Sequence, residues 1–256
     1  MRNVVVTGAA AGIGKAVAAA ARQRGDRVVA VDLDNCDVAA DLSTPVGRRS
    51  AVDQISQGLK RIDGLIACAG LSPGRQPVDP GKIVSVNYFG VTELATGLLP
   101  LLANSEAPRV VAMSSSALAT ACSAAVIDAC LAGDEAAAVA ACREVGAELT
   151  YSSSKRALSR WVKRLAVTTQ WAGAGILLNA VAPGVTVTAM TQWLLETTDG
   201  VALLSAAAPM RIGRPAQPAE IASCALFLAG ADNSFVVGQT LFCDGGAEAT
   251  LRPEHI

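Results

Sequence analysis

The chain has 256 residues, and its 21 Lys+Arg against 22 Asp+Glu leave a formal net charge of −1; with no block of basic residues to grip a phosphate backbone, nucleic acid is a poor partner. Hydrophobic residues make up 52% and mean hydropathy is +0.40. Even so, the longest charge-free stretch, 165–195, is broken by Gly173, Gly175, Pro183 and Gly184, and it lacks the roughly 20 predominantly apolar residues of a membrane span.

In chain order, a first strand over 4–6 passes directly into a glycine turn and a helix over 13–24. A strand over 27–31 follows, then a short one at 38–40, a helix over 45–59 and a strand over 64–68. A long helix over 82–102 leads to a strand over 109–113. Residues 117–149 are alanine-rich; the helical composition of 124–148 is interrupted at Gly133 and predicts a helical pair inserted before the next long helix, 151–172. A strand over 176–181 precedes an irregular segment, 185–217, and a helix over 218–228 and a strand over 239–243 follow. Short β-branched strands alternating with helices predict an α/β fold: one doubly wound parallel sheet of Rossmann type, covered on both faces. With no internal repeat and no linker-like tract, residues 1–256 read as a single domain. The first strand begins too early to leave room for a signal peptide.

Cysteine and histidine narrow the chemistry. Seven scattered cysteines without a CxxC pair suggest neither a disulfide framework nor a zinc or redox motif, and predict a cytoplasmic protein with reduced thiols. The single histidine, His255, is the penultimate residue. A Ser-His-Asp triad or a histidine metal site would have to be built on a frayed tail, so no metal is expected.

Thr7-Gly8-Ala9-Ala10-Ala11-Gly12-Ile13-Gly14 follows the first strand and opens the first helix. Its glycines allow a tight turn, and the exposed N–H groups at the helix start suit a pyrophosphate. Asp32 ends the second strand, 18 residues after Gly14. A carboxylate there accepts hydrogen bonds from an adenosine ribose and repels a 2′-phosphate, favouring NAD over NADP. Asp41-Leu42 either brackets the adenine or simply begins a helix. Tyr151-Ser152-Ser153-Ser154-Lys155 puts a phenol and an ammonium one helical turn apart on one face. Bringing a phenol from about 10 to near neutrality requires about 4 kcal/mol of differential stabilisation. An ammonium about 4 Å away supplies that order of energy at an effective dielectric of about 20. Taken alone, such a pair is usually an ordinary helix face.

Together and in this order, the glycine turn, Asp32, the Tyr151/Lys155 helix and Pro183-Gly184 resemble the short-chain dehydrogenase/reductase family over essentially the whole chain. Ala69-Gly70, Asn87, Asn179 and Asp244-Gly245-Gly246 extend the match. The resemblance implies Tyr151 as catalytic acid/base, with Lys155 lowering its pKa and holding the nicotinamide ribose. It implies Asn87 as the helix-interrupting residue that positions a relay water, and Ser115 as the group at the substrate oxygen, with Ser114 as the alternative. The implied dinucleotide site comprises Gly8, Gly12, Ile13, Gly14, Asp32, Asp41, Leu42, Ala69, Gly70, Pro183, Gly184, Val185 and Thr188, besides Tyr151 and Lys155.

Three departures stand out. Ala67-Cys68-Ala69-Gly70 replaces the family's common Asn-Asn-Ala-Gly, and Leu177 stands where Arg is common. Ser115 and Tyr151 are 36 residues apart, where about a dozen is usual. That insert, with Cys68-Ala69-Gly70, 84–90 and the Arg252-Pro253 tail, is most similar to the bacterial 3α-hydroxysteroid dehydrogenase/carbonyl reductase subgroup. This implies NAD(H)-dependent oxidoreduction of steroid-like alcohols and carbonyls, and a homodimer made without the usual long-helix interface, with a tetramer as the alternative. Leu118, Met190, Trp193 and Leu194 are candidates for an apolar cleft or ordinary loop packing. Rival readings are a dehydrogenase of another cyclic alcohol, sugar or polyol, and a catalytically silent NAD-binding scaffold.

Overall fold

The computed structural model describes residues 1–254; His255, read above as part of a frayed tail, lies outside the described residues. Seven strands form one all-parallel sheet: β1 (Asn3–Thr7), β2 (Arg27–Asp32), β3 (Val38–Ala39), β4 (Gly64–Ala67), β5 (Arg109–Met113), β6 (Leu177–Pro183) and β7 (Thr240–Cys243). Their spatial order is β3-β2-β1-β4-β5-β6-β7. The chain leaves β1 toward one edge and returns at β4 toward the other, so a crevice opens beyond the carboxyl ends of these two strands. In such sheets that crevice is where ligands bind.

Strand periodicity sorts the core into two layers. Val4, Val6, Ile66, Val111 and Val181 pack on one face with α1 (Gly12–Gln23) and, from later in the chain, the helix Pro218–Leu228. Val5, Leu65, Val110, Leu178 and Ala180 pack on the other. Both faces are buried, which explains why these strands read as continuous apolar runs rather than alternating ones.

Helices on the second face are α2 (Pro45–Gly58), α3 (Pro80–Val84), α4 (Gly90–Gly97) and α5 (Leu99–Ala103). The continuous helix expected over 82–102 is therefore broken twice. Ser85–Phe89 forms a π turn with Asn87 at its centre, and Pro100 falls in the first turn of α5, where its missing N–H is tolerated.

The inserted pair is present as α6 (Ala124–Ala132) and α7 (Glu135–Val145). Ser123 and Asp134 cap their starts through Val126 N–H and Ala137 N–H, and Gly133 ends α6 at φ +75°, a left-handed conformation that glycine adopts without strain. Val126, Ile127, Cys130, Ala138 and Cys142 join the second core layer. Arg48 of α2, 1% exposed, pairs with Glu93 of α4 and Glu135 of α7, tying the insert to the body.

Only Gly146, at φ +82°, separates α7 from α8 (Ala147–Leu165). The catalytic-type helix thus begins before Tyr151 and stops short of the expected 172. The chain turns back at its end because Trp171, 1% exposed, packs edge-on against Trp161 at 5.6 Å. Segment 185–217, expected to be irregular, holds α9 (Ala189–Leu195) and α10 (Thr198–Ala207). Thr188 with Thr191 and Thr197 with Gly200 cap them. The helix Pro218–Leu228 is α11, and α12 spans Ala247–Leu251. Among the described residues, no helix is long and apolar enough to cross a membrane, and no cluster of three or more His, Cys, Asp or Glu could hold a metal.

Candidate active site

At the sheet's switch point the main chain is packed too closely for side chains. A Cβ on Gly8, at φ +65°, would lie 2.8 Å from Ala69 N, and one on Gly14 would lie 2.1 Å from Gly8 O. Thr7 Oγ1 accepts from Ala69 N–H at 3.0 Å, fastening the ends of β1 and β4 together. Ala11 precedes α1 and gives it no side-chain cap, so the first N–H groups of this 12-residue helix are left for an anion. They face a cavity of about 330 Å³ bounded by Gly8, Gly12, Ile13, Gly14, Asp32, Asp41, Leu42, Ala69, Gly70 and Thr188.

Asp32 accepts main-chain N–H groups from Ala10 at 2.9 Å and Leu33 at 2.8 Å, so one carboxylate both holds the glycine turn and lines the cavity. Asp41 accepts from the Ser43 hydroxyl at 2.6 Å; this bond holds its carboxyl below the ordinary range against burial, with help from Ser43 N–H and the Lys82 ammonium. The capping of α2 falls to Thr44 rather than Asp41. An uncapped helix start, a glycine cradle and a carboxylate at the far wall fit a dinucleotide, and Lys82 is the sole cation lining this cavity among the described residues.

Beyond Gly70 lies a second cluster. A Cβ on Gly70 would come within 3.1 Å of Asn87 Oδ1 and 3.5 Å of Lys155 Nζ, so this glycine is where the nucleotide cavity meets the polar groups of α8. Asn87 Oδ1 accepts from Leu71 N–H at 2.8 Å, and its Nδ2 donates to Leu71 O at 2.9 Å and Ser154 Oγ at 3.3 Å. The π turn places this fully buried amide between the loop after β4 and helix α8.

The three consecutive serines after β5 point different ways. Ser114 Oγ bonds with Lys155 O at 3.2 Å and Ser159 Oγ at 2.8 Å, turning into α8. The Ser115 hydroxyl is the group that lowers the pKa of the Tyr151 phenol, and it accepts from Ala117 N–H at 3.2 Å. Arg156 donates to Leu118 O and to Thr120 O at 2.8 Å, clamping the turn that follows Ser115 onto α8.

Lys155 Nζ donates to Met113 O at 2.8 Å and lies 5.9 Å from the Tyr151 ring centre. Burial pulls Lys155 down to about 8, opposed by the nearby Cys68. The expected depression of Tyr151 is not found in the protein alone: burial pushes the phenol up, and only Ser115 pulls against it. A carbonyl-bound ammonium 5.9 Å from the ring centre does not outweigh the desolvation of a phenolate.

Not every expected residue meets the cavity. Pro183 ends β6 and Gly184 follows it, where a Cβ would touch Asp244 Cα at 2.7 Å, and Val185 lines a separate cavity of about 260 Å³ with Cys243 and Asp244. Ser115, Tyr151 and Lys155 lie outside the 330 Å³ space. Met190 lines it, whereas Leu118 is buried beneath the clamp of Arg156. Leu71, Lys82 and Val86 also line the cavity and were not singled out from sequence; Leu71 and Val86 adjoin Gly70 and Asn87, the one available hint. Arg156 carried no sequence signal beyond following Lys155.

Comparison with known proteins gives concordant findings. Residues 2–127 match the short chain dehydrogenase family and residues 135–248 match the family described as Enoyl-(Acyl carrier protein) reductase. The 3-alpha-hydroxysteroid dehydrogenase/carbonyl reductase of Comamonas testosteroni is 38% identical, covering 99% of each chain. The 2-(R)-hydroxypropyl-CoM dehydrogenase of Xanthobacter autotrophicus is 30% identical over 97% of this chain and 99% of that one. The crystal structure of the 3-alpha-hydroxysteroid dehydrogenase from Pseudomonas sp. B-0831 in complex with NADH superposes with a TM-score of 0.90, at 35% identity over 99% of this chain and 100% of the other.

Proposed function

Because the chain belongs to the short-chain dehydrogenase/reductase family and is an oxidoreductase, we propose that it interconverts secondary alcohols and ketones of steroid-like, largely apolar molecules with NAD(H) as coenzyme. The observation that carries this reading is the placement of Tyr151 and Lys155 one turn apart on α8, with Lys155 meeting the dinucleotide cavity at Gly70 beside Asn87.

The bound dinucleotide supplies the hydride donor or acceptor. In alcohol oxidation, Tyr151 Oη takes the substrate hydroxyl proton; in ketone reduction it gives one back. Ser115 Oγ hydrogen-bonds with the same substrate oxygen and stabilises charge that develops there. Lys155, held by Met113 O, adds positive charge beside the phenol and would hold the nicotinamide ribose. Asn87 keeps the Gly70–Leu71 loop and α8 at a fixed separation, the condition for cofactor and phenol to meet.

NAD is favoured over NADP by Asp32 and by the absence of a basic side chain on the glycine-turn wall among the described residues. The relatives named for 3-hydroxysteroids, with near-complete mutual coverage, support the substrate class. We read the whole chain as one unit, with 117–149 as a cover on α8 and 185–217 as the substrate-side segment. The packing of α6 on α8 supports a homodimer that leaves the long helix out of its interface.

The test is a coenzyme-linked screen of androsterone-like steroids, aromatic ketones and polyols, run beside Tyr151→Phe. The variant keeps the ring and removes the proton donor, so turnover should fall by about 10²–10⁴-fold with NADH affinity nearly unchanged. Retained turnover would overturn the role of Tyr151, and activity confined to polyols would overturn the substrate class.

A further inference from the structure

Outside the dinucleotide site, two thiols are in direct contact. Cys224 of α11 donates to Cys243 Sγ at 3.3 Å, across 19 residues of chain. Both are partly buried free cysteines. Cys243 also lines the 260 Å³ cavity, together with Val185, Arg214 and Glu220. Sulfur atoms this close need only a small approach to bond, and the adjoining space is large enough for a small oxidant. Burial, with the neighbouring sulfur adding to it, pushes the Cys243 thiol up to about 12. The pair is therefore slow to react and persists as a dithiol in reducing solution.

We propose that Cys224 and Cys243 form a two-thiol oxidation site that closes to an intramolecular disulfide when a hydroperoxide enters the adjoining cavity. One thiol gives up its proton as its sulfur attacks hydrogen peroxide at the O–O bond; the sulfur becomes a sulfenic acid, and the departing oxygen leaves with that proton as water. The second thiol displaces the sulfenic oxygen as another water and forms the S–S bond. Two thiols lose two electrons and two protons, and one peroxide is reduced to two waters.

The site also reaches the end of β6. Cys243 O accepts from Gly184 N–H at 3.0 Å, and Cys243 is in register with Pro183. Fixing Cys243 to α11 therefore braces the strand end against which Pro183-Gly184 rests. It also closes the loop between α11 and β7 that carries Phe235, 93% exposed, and so restricts the unfolded chain.

The experiment treats the full-length protein with hydrogen peroxide, alkylates the remaining thiols and maps the peptides by mass spectrometry. Chymotrypsin is required, because no Lys or Arg lies between 215 and 251 while Phe227 and Phe235 separate the two sulfurs. The expected result is a linked Cys224–Cys243 pair, two hydrogens lighter, and a thermal midpoint raised by about 5–10 °C and restored by dithiothreitol. Cys224→Ser should show no link at Cys243 and no thermal shift. If both cysteines are recovered alkylated after a small dithiol in the same solution is fully oxidised, or if Cys243 is linked elsewhere, the proposal fails. Mapping of the wild-type chain decides this even where the variant folds poorly.

Discussion

Replacing Lys155 by Met should stabilise the protein while abolishing its activity. Lys155 is 4% exposed, and burial brings its pKa from an ordinary 10.5 to about 8. The folded state therefore binds this proton more weakly than the unfolded chain, and the difference amounts to about 3 kcal/mol of lost stability below pH 8. Methionine has a similar unbranched length and no charge to desolvate. Its cost is the Met113 carbonyl left without the ammonium, about 1 kcal/mol. The net expectation at pH 7 is a gain of about 2 kcal/mol. The sign follows from the lowered pKa: the penalty is complete below about 8 and fades as pH rises toward 10.5, where the side chain is neutral in both states. Cys68, pushed up to about 12 mainly by its own burial, stays neutral across that range and does not confound the comparison. Urea unfolding of wild type and Lys155→Met at pH 7 and pH 10, with turnover measured at pH 7, provides the assay. A variant no more stable than wild type at pH 7, or an advantage that fails to shrink on raising the pH, would refute the reasoning.

Two other substitutions test the cradle and the insert. Asp32→Ala removes the anion facing a 2′-phosphate, so the ratio of NADH to NADPH affinity should fall by about tenfold or more; dissociation constants from nicotinamide fluorescence measure it, and an unchanged ratio would reject Asp32 as the discriminator. Arg48→Met leaves Glu93 and Glu135 facing each other without the guanidinium that bridges them. Both carboxylates reach solvent, so the loss in urea unfolding should be about 3 kcal/mol, near the low end for a broken buried pair.

The strands were legible because both their faces are buried, and a run such as Val4-Val5-Val6 has no other economical use. The helix breaks divide by cause. Pro100 marks the second break, which the continuous reading over 82–102 passed over; the π turn around Asn87 leaves no propensity signal, its residues Ser85–Phe89 all being buried, and was implied only by the resemblance. The end of α8 depends on Trp171 returning to Trp161, a contact that helix propensity does not encode. At the site, spacing put Tyr151 and Lys155 on one helix face, and the family resemblance implied their roles and that of Asn87. The choice between Ser114 and Ser115 needed the orientation of the strand end against α8, which three identical residues in a row conceal. The pKa of Tyr151 depends on how deeply the ring is desolvated, a property of the assembled cleft. Arg48 and Arg156 were opaque for another reason: their partners lie 45 and 87 residues away for Arg48, and 36 and 38 for Arg156.

A single glycine joins the two helices that flank residue 146. No linker intervenes, so the direction of the chain changes at one residue while each helix keeps its own hydrogen-bond ladder. The detour between Ser115 and Tyr151 thus adds two helices to the core without interrupting the helix that carries the phenol. Tyr151 and Lys155 stay in step because they share that one helix.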